Sequence, residues 1–392
     1  METPIVIKTF HGLENVLAEE LKALGAADIR PLKRAVSCSG DLALVYRANY
    51  ELRTALRVLL PVHTFEVSNE KAYYRAVREV EWGEYLDPTG TLAVDAVLSG
   101  GIFRHSQYMA LLTKDAIVDY FRDRYMRRPN VNTVAPHLRV HARIHGSTCT
   151  LLLDSSGDSL HKRGYRRDTV EAPLNEVLAA GMVKLTGWND SCPLVDPMCG
   201  SGTIVVEAAL MAANIPPQSK RPSFGFFHWR HFDRQLWGSV KSKADARAQK
   251  PFFPIYAFDK DSRARNATAI NLLSAGLEHY ISVQKMPFEK LMPPQPAGML
   301  ITNPPYDERL RTDDIALFYK TIGDQLKKRW TGWTAWLISS HREALKHLGL
   351  HPSQKVTLYN GALECAFQKF ELYEGSKRST SSKEPPAETE SR

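Results

Sequence analysis

The stretch Leu194-Val195-Asp196-Pro197-Met198-Cys199-Gly200-Ser201-Gly202-Thr203 decides the fold class. The apolar run that opens it is typical of a buried strand, and the apolar residues that follow it at helical spacing predict a helix. A glycine-rich turn between a strand and a helix is where an open α/β sheet binds its ligand. The stretch therefore predicts a ligand-binding loop at the edge of a doubly wound sheet.

Strands and helices alternate on both sides of this loop. A helix is predicted at 173–185, and strands are predicted at 255–258, 299–302 and 334–339 with helices between them. Two further runs, 355–358 and 363–372, flank Asn360-Gly361, a pair typical of hairpin turns. A doubly wound parallel sheet closed by an antiparallel hairpin is the pattern of class I (Rossmann-like) methyltransferases, whereas dinucleotide dehydrogenases usually stay parallel at that edge.

The sequence pattern of the rest of the chain predicts smaller domains. Residues 1–67 show an α/β pattern with helices at 13–24 and 41–56, and residues 68–155 show a second one with a helix at 106–126 and two alternating strands. Residues 156–170 form a polar, basic connector, and 171–374 form the large domain. An insertion at 216–254, rich in Phe and Trp, is expected to pack on the sheet, the alternative being that it folds over a site. The tail at 375–392 is expected to be disordered because Lys, Ser, Pro and Glu dominate it.

Composition narrows the class of partner. The chain has 392 residues, with 51 Lys and Arg against 43 Asp and Glu, and the net charge of +8 fits a polyanionic partner such as nucleic acid. The 5 cysteines form no CxxC pair, so neither a disulfide framework nor a metal site is expected. No apolar run approaches the length that a bilayer requires. The expectation is a cytoplasmic, metal-free monomer without a membrane segment.

The glycine loop favours a cofactor that carries an amino acid. Gly200 and Gly202 let the backbone turn tightly and approach a ligand, and the following helix offers free N–H groups to a carboxylate. Asp196 can accept a hydrogen bond from an ammonium group, but it would repel a diphosphate. Asp259 ends the next predicted strand, where a carboxylate can bind both hydroxyls of a ribose. The alternative for Asp259 is a helix N-cap.

Asn303-Pro304-Pro305-Tyr306 follows the strand at 299–302, at the same edge of the sheet. The prolines remove backbone donors, which leaves carbonyl oxygens and the Asn303 amide oxygen to accept hydrogen bonds. Acceptors that hold both hydrogens of an exocyclic NH₂ favour a nitrogen that can attack, and Tyr306 offers a face on which a base can stack. In an arbitrary loop this segment would be a rigid turn. Its place in this sheet favours methyl transfer to an amine.

Basic residues mark two further regions. The second module carries Arg104, Lys114, Arg127 and Arg128, and the connector carries Lys162, Arg163, Arg166 and Arg167. We expect both groups to contact RNA, the alternative for the first group being a solvated helix face.

The chain resembles the THUMP-domain RNA methyltransferases, and within them the bacterial N2-guanine methyltransferases of large-subunit ribosomal RNA. The resemblance covers residues 1 to about 373 and depends on the glycine loop, Asn303 to Tyr306, the connector Leu160-His161-Lys162-Arg163-Gly164-Tyr165-Arg166 and the segment Ala172-Pro173-Leu174-Asn175-Glu176. It implies a ferredoxin-like domain at 1–67, a THUMP RNA-binding domain at 68–155 and S-adenosylmethionine as cofactor.

The resemblance also assigns site residues. The catalytic residues would be Asn303, Pro304, Pro305 and Tyr306. The cofactor-binding residues would be Asp196, Pro197, Cys199, Gly200, Ser201, Gly202, Thr203, Asp259, Phe288 and Asn303. Relatives often hold the adenine amine with an acidic residue after the third strand, but this chain has Gln284-Lys285-Met286-Pro287-Phe288 there.

Several functions stay open at this point. The leading prediction is N2-methylation of a guanosine in 23S ribosomal RNA or its large-subunit precursor. The alternatives are N6-methylation of adenine in DNA or RNA, N2-methylation of a tRNA guanosine, and a non-catalytic RNA-binding assembly factor. Larger family members carry a second methyltransferase domain, so this chain is expected to perform one modification.

Overall fold

The computed structural model describes residues 2–170, 173–305 and 312–374. Tyr306 and the tail at 375–392 lie outside the described residues, so their predictions stay predictions. The described part contains one eight-stranded and one seven-stranded sheet.

The first 154 residues build the eight-stranded sheet. Its helices and strands are β1 (Thr3–Lys8), α1 (Glu14–Ala23), β2 (Ala27–Leu32), β3 (Ala35–Gly40), α2 (Leu42–Glu51), β4 (Arg57–Glu66), α3 (Glu70–Arg78), β5 (Thr91–Ser99), α4 (Ser106–Tyr125), β6 (Asn130–Val131), β7 (Leu138–His145) and β8 (Thr148–Asp154). The strand order is β2-β3-β1-β4-β8-β7-β5-β6. The sheet is continuous across the two predicted N-terminal modules because β4 pairs with β8, from Leu59 opposite Asp154 to Glu66 opposite Thr148.

The predicted helix at 41–56 is too long. The Asp41 side chain accepts a hydrogen bond from the Leu44 backbone and caps α2, but Leu52 is already extended. Glu20 accepts hydrogen bonds from the backbone N–H groups of Arg53 and Thr54, so the chain after α2 is fixed by a residue of α1. This tertiary contact overrides the helical pattern. The strand β2 was not predicted either, because its short alternation of apolar and polar residues, Ala27 to Arg30, is followed at once by Pro31, which is tolerated here because β2 is an edge strand.

The second part of the chain builds the seven-stranded sheet. Its helices and strands are α5 (Glu176–Leu185), β9 (Leu194–Asp196), α6 (Thr203–Ala212), α7 (Arg234–Asp245), β10 (Ile255–Asp259), α8 (Ser262–Ala275), β11 (Ile281–Lys285), β12 (Gly298–Thr302), α9 (Thr312–Arg329), β13 (Trp333–Ser339), α10 (Arg342–Lys346), β14 (Gln354–Asn360) and β15 (Leu363–Glu371). The order is β11-β10-β9-β12-β13-β15-β14, and β15 is antiparallel to both of its neighbours. The predicted doubly wound sheet with an antiparallel hairpin is confirmed.

The strand order places a crevice at one defined point. The chain leaves β9 toward β10 on one side, and β12 enters on the other side of β9. Ligands of open α/β sheets bind where the strand order reverses in this way, outside the carboxyl ends of the strands. The glycine loop follows β9 and Asn303 follows β12, so both lie at this crevice.

The aromatic insertion at 216–254 packs on a different surface from the predicted one. Phe226 stacks against Tyr46 of α2 with ring centroids 4.5 Å apart, and Trp237 of α7 lies 5.4 Å from the ring of Tyr50. Tyr50 also donates a 2.6 Å hydrogen bond to Asp245. The expectation that the insertion covers the sheet is therefore wrong. Phe224 and Phe226 are buried, and Phe227, Phe232 and Trp237 are partly buried, against the core of the N-terminal module, which joins that module to the large domain.

Candidate active site

The glycine loop runs from the end of β9 into the first turn of α6. Gly200 and Gly202 both have positive φ, +56° and +82°. A Cβ at Gly202 would lie 2.7 Å from the Thr268 side chain of α8, whereas one at Gly200 would meet only Val170, at 3.4 Å. Gly202 thus permits close packing of the loop on α8, and Gly200 leaves space above the loop.

Asp196 is buried beneath this loop, with 1% of its surface exposed. Its carboxylate accepts a 2.9 Å hydrogen bond from the Thr302 hydroxyl and a 3.2 Å one from the Met198 backbone. Burial, assisted by the negative charge of Asp259, raises the pKa of Asp196 to about 7, although the hydrogen bonds from Thr302 and Met198 act in the opposite direction. The carboxyl therefore joins the ends of β9 and β12, and a cation beside it would favour its charged form.

Asp259 ends β10 and faces the same loop. Its carboxylate accepts hydrogen bonds from the backbone N–H of Gly200, at 3.0 Å, and of Asp261, at 2.9 Å. Asp261 is the residue that caps α8, through the Arg263 N–H. The alternative of Asp259 as the N-cap is therefore wrong, and its position beside Gly200 remains suited to a ribose.

Asn303 follows β12 and presents an unsatisfied acceptor. Its Oδ1 atom is buried and has no hydrogen-bond partner among the described residues. Leaving a buried polar atom unpaired costs about 1–3 kcal/mol, so a donor from a ligand would relieve that cost. Pro304 is buried and Pro305 is exposed. The described part of the predicted catalytic segment thus offers acceptors at the crevice.

Of the remaining predicted cofactor residues, Cys199, Ser201 and Thr203 belong to the loop, and Phe288 follows β11. Cys199 is buried, and burial raises the pKa of its thiol, so it does not have the character of a nucleophile. Its Sγ lies 3.5 Å from the Thr268 hydroxyl. Ser201 and Thr203 are also buried. Phe288 is 5% exposed and packs in the core near Trp330, with ring centroids 5.9 Å apart.

Two residues of α8 that the sequence analysis did not select support the loop. Thr268 donates a 2.8 Å hydrogen bond to the Gly200 carbonyl. Asn271 donates to the carbonyls of Ser201, at 3.0 Å, and of Asp168, at 2.9 Å. The spacing of three residues, which places both side chains on one helix face, is the sequence signal that could have identified them. Polar residues at that spacing are common on helices, so the signal is weak.

The prediction that Arg163 contacts RNA is wrong. Arg163 is 1% exposed, and its Nε lies 3.3 Å from the Glu207 carboxylate in α6. Its guanidinium also donates to the carbonyls of Leu160 and Arg53, and Tyr165 donates to Glu207 at 3.1 Å. Burial of a charge requires such partners. The connector is therefore anchored inside the protein at this point.

Arg166 serves the cofactor loop, which corrects its predicted role in RNA binding. The guanidinium donates to the hydroxyls of Ser201, at 3.2 Å, and Thr203, at 3.1 Å. It also donates to Glu176, at 2.7 Å, and to the Leu174 carbonyl, at 2.9 Å. All of its nitrogens are engaged by the protein. Nothing near Arg166 in the sequence indicates these partners, which are up to 37 positions away.

The other residues predicted to bind RNA are accessible to different degrees. Arg104, Arg127, Arg128 and Arg167 are exposed. Lys114 pairs with Asp115, and Lys162 pairs with Asp158 at 3.3 Å. Their contact with RNA stays a prediction.

No group of His, Cys, Asp and Glu side chains that could hold a metal ion is present within residues 2–170, 173–305 and 312–374. Among the helices of the described part, none combines the length and the apolar character that crossing a membrane demands.

Three family models match consecutive parts of the chain. The RlmL ferredoxin-like domain matches residues 4–59, the THUMP domain matches 67–154, and the RMKL-like methyltransferase domain matches 163–369.

Full-length comparisons agree with these matches. A Synechocystis sp. protein with the name of an RNA methyltransferase is 39% identical over 372 residues, which cover 94% of this chain and 97% of that protein. A protein from Syntrophotalea carbinolica named ribosomal RNA large subunit methyltransferase K/L is 39% identical over 93% of this chain but only 53% of its own length. This chain spans about half of the K/L relatives.

Among solved structures, SMU.472, a methyltransferase-like protein complexed with SAH, superimposes with a TM-score of 0.86 at 27% identity and covers 96% of this chain and 99% of its own. With the methyltransferase-domain model matching from Arg163 to Lys369 and the fold shared over nearly the whole length, the chain belongs to the RMKL-like methyltransferase family.

Proposed function

We propose that this chain transfers a methyl group from S-adenosylmethionine to the exocyclic N2 amine of a guanosine in large-subunit ribosomal RNA. The observation that carries the proposal is the buried, unpartnered Oδ1 of Asn303 at the reversal point of the strand order. The names of the K/L relatives and the match to a THUMP domain support RNA of the large subunit as the substrate.

The residues around the glycine loop fit the cofactor. Gly200 leaves space for the amino-acid end, and the ammonium of that end would favour the charged form of Asp196, whose carboxyl burial otherwise tends to keep neutral. Asp259 would accept from the ribose hydroxyls. SMU.472 in complex with SAH supports the same cofactor for this chain.

The role of the chain's residues in the reaction is positioning. The Asn303 Oδ1 and the carbonyl oxygen of Pro304 would accept the two amine hydrogens, which turns the nitrogen lone pair away from the ring. The cofactor supplies a methyl group on a sulfonium, which needs little further activation. After the nitrogen–carbon bond forms and the carbon–sulfur bond breaks, the amine releases one proton. The Asn303 amide is not basic enough to accept this proton, so the proton passes to solvent.

For the protein as a whole, we propose domain boundaries that divide it into residues 1–67, 68–155, 156–170 and 171–374. We further propose a cytoplasmic monomer that requires no metal. Activity that withstands EDTA and a sedimentation mass equal to one chain would support these two statements.

The product decides between the candidate functions. An unmodified 23S rRNA transcript is incubated with the protein and S-adenosylmethionine, digested to nucleosides and analysed by mass spectrometry. We expect N2-methylguanosine, at about one residue per transcript. Detection of N6-methyladenosine would support the adenine alternative. Methylation of tRNA but not of 23S rRNA would identify tRNA as the substrate. If no nucleoside gains a methyl group from either RNA while the protein binds the cofactor, the proposed reaction is wrong.

A further inference from the structure

One face of the eight-stranded sheet carries a line of basic side chains. The apolar residues of β7 pack in the core together with α3 and α4. The residues between them face the opposite side because side chains alternate along a strand, and they are Arg139, His141, Arg143 and His145.

This face continues across the boundary between the two N-terminal modules. Asp154 of β8 lies within 3.2 Å of the His141 ring and pairs with Arg57 of β4, so His141 and Arg57 share a side of the sheet. Lys8 of β1 is the cross-strand partner of Arg57 and faces the same way. We call this surface the basic sheet face, formed by Lys8, Arg57, Arg139, His141, Arg143 and His145.

Among the described residues, the basic sheet face holds two cations without an acidic partner. Asp154 pairs with Arg57 and His141, and Asp95 pairs with Arg139 at 2.9 Å. A third acid on this face, Glu66, is the cross-strand partner of Thr148 and accepts hydrogen bonds from Ser147 and Thr148. Lys8 and Arg143 have no ion pair within the part of the chain that the structure describes. Burial lowers the pKa of Lys8 first, and the positive charges of Arg143 and Arg34 lower it further. These cations therefore lie near enough to repel one another, which an anionic partner would relieve.

The helical side of the same module is less suited to bind an anion. The cations of α4 are paired with acids: Lys114 with Asp115, Arg122 with Asp119, and Arg124 with Glu81. The exposed Arg104 and Arg127 stand before and after this helix of 20 residues, roughly 30 Å apart at 1.5 Å per residue. Free cations on the helical side therefore stand at two separate places, Arg104 before α4 and the adjacent Arg127 and Arg128 after it, whereas Lys8 and Arg143 lie on one face of the sheet.

The basic sheet face leads to the edge where the methyl group is transferred. β14 runs parallel to β13 because both are antiparallel to β15, so Tyr359 lies at the same sheet edge as Asn303. The Tyr359 ring lies 5.6 Å from the ring of His11, and the Arg34 guanidinium lies 5.6 Å from its centroid. The Lys8 and Arg34 end of the N-terminal module therefore borders the catalytic edge.

We propose that the basic sheet face, together with Arg34, binds the sugar–phosphate backbone of the RNA next to the target nucleotide and guides it to the catalytic edge. This inference rests on the proposed function, since it takes RNA as the substrate. Arginine suits phosphate because its planar guanidinium donates two parallel hydrogen bonds, and lysine supplies a point charge. Such contacts fix the position of the RNA and carry no sequence information.

The test measures binding of an unmodified 23S rRNA transcript as a function of salt, separately from methyl transfer. The sheet-face variant is Lys8→Gln/Arg143→Gln. The rival variant on the helical side is Arg127→Gln/Arg128→Gln. The matched control is Lys71→Gln/Lys243→Gln, which removes two exposed cations from helices α3 and α7. Thermal unfolding and SAH affinity check that each variant is folded.

We expect the sheet-face variant to lose about tenfold in RNA affinity at moderate salt and to reduce the slope of log K against log salt by about 2, since each phosphate contact contributes about 1. The control should stay within twofold. The inference is overturned if the sheet-face variant binds like wild type, or if only the rival variant loses affinity. RNA binding through this face without any methyl transfer would overturn the proposed function and leave the inference standing, and wild type that binds no RNA would overturn both.

Discussion

The glycine loop at 196–203 and the connector at 156–170 lie against each other, yet their sequences reveal their roles to very different degrees. The conformation of the loop depends on local geometry. Gly200 and Gly202 have positive φ, and the glycines of the motif predict that backbone conformation directly. The connector's basic residues look like a surface for RNA, but Arg163 is buried against Glu207 and Arg166 holds the hydroxyls of the loop. A charged side chain in a connector between two domains is therefore not necessarily exposed, because its partner can lie far away in the sequence.

The largest expected effect comes from the buried end of the connector. Arg163→Met leaves Glu207 buried without its closest cation, and removing one partner of a buried ion pair costs about 3–5 kcal/mol. Urea denaturation measures the free energy of unfolding. The neighbouring Lys162→Met is the matched control, because its exposed pair with Asp158 contributes at most about 0.5 kcal/mol. Equal losses in both variants would mean that the connector is not anchored as described.

A smaller effect is expected where the connector meets the loop. Arg166→Ala removes the donors to Ser201 and Thr203, so the affinity for SAH should fall about thirtyfold, roughly 2 kcal/mol. Arg167→Ala removes an adjacent, exposed arginine and should change it less than twofold. Isothermal titration with SAH gives both values. If Arg166→Ala binds SAH like wild type, the connector does not support the loop.

The smallest expected effect concerns the pH dependence of the loop itself. Burial raises the pKa of Asp196 to about 7, above the ordinary value of 3.8. Because the folded protein prefers the protonated carboxyl, its contribution to stability is present at low pH and is lost as pH rises toward 7. An ammonium ligand needs the ionised form, so SAH affinity should rise about tenfold from pH 6 to pH 8. The same titration with Asp196→Asn should show no such rise, and an equal rise in that variant would assign it to another group.

Sequence patterns were sufficient for the parts of the site that depend on local geometry. The loop, Asp259 and Asn303 lie at one edge because alternating strands and helices produce parallel strands, whose carboxyl ends meet at the same edge of the sheet. Sequence patterns were insufficient wherever the position of a residue depends on a partner that is distant in the sequence. The aromatic insertion packs on α2 through Phe226 and Trp237, and nothing near those residues indicates Tyr46 or Tyr50 as partners. Likewise, the pairing of β4 with β8 that unites the two N-terminal modules joins residues about 80 to 95 positions apart.

The central claim is that methyl transfer occurs at the Asn303 edge while the glycine loop binds the cofactor independently. The most direct measurement compares wild type with Asn303→Ala in methyl transfer to a 23S rRNA transcript and in SAH affinity. Loss of one oriented acceptor should lower the transfer rate by about 100-fold or more, and SAH affinity should change less than threefold. Full transfer activity in Asn303→Ala would contradict the account.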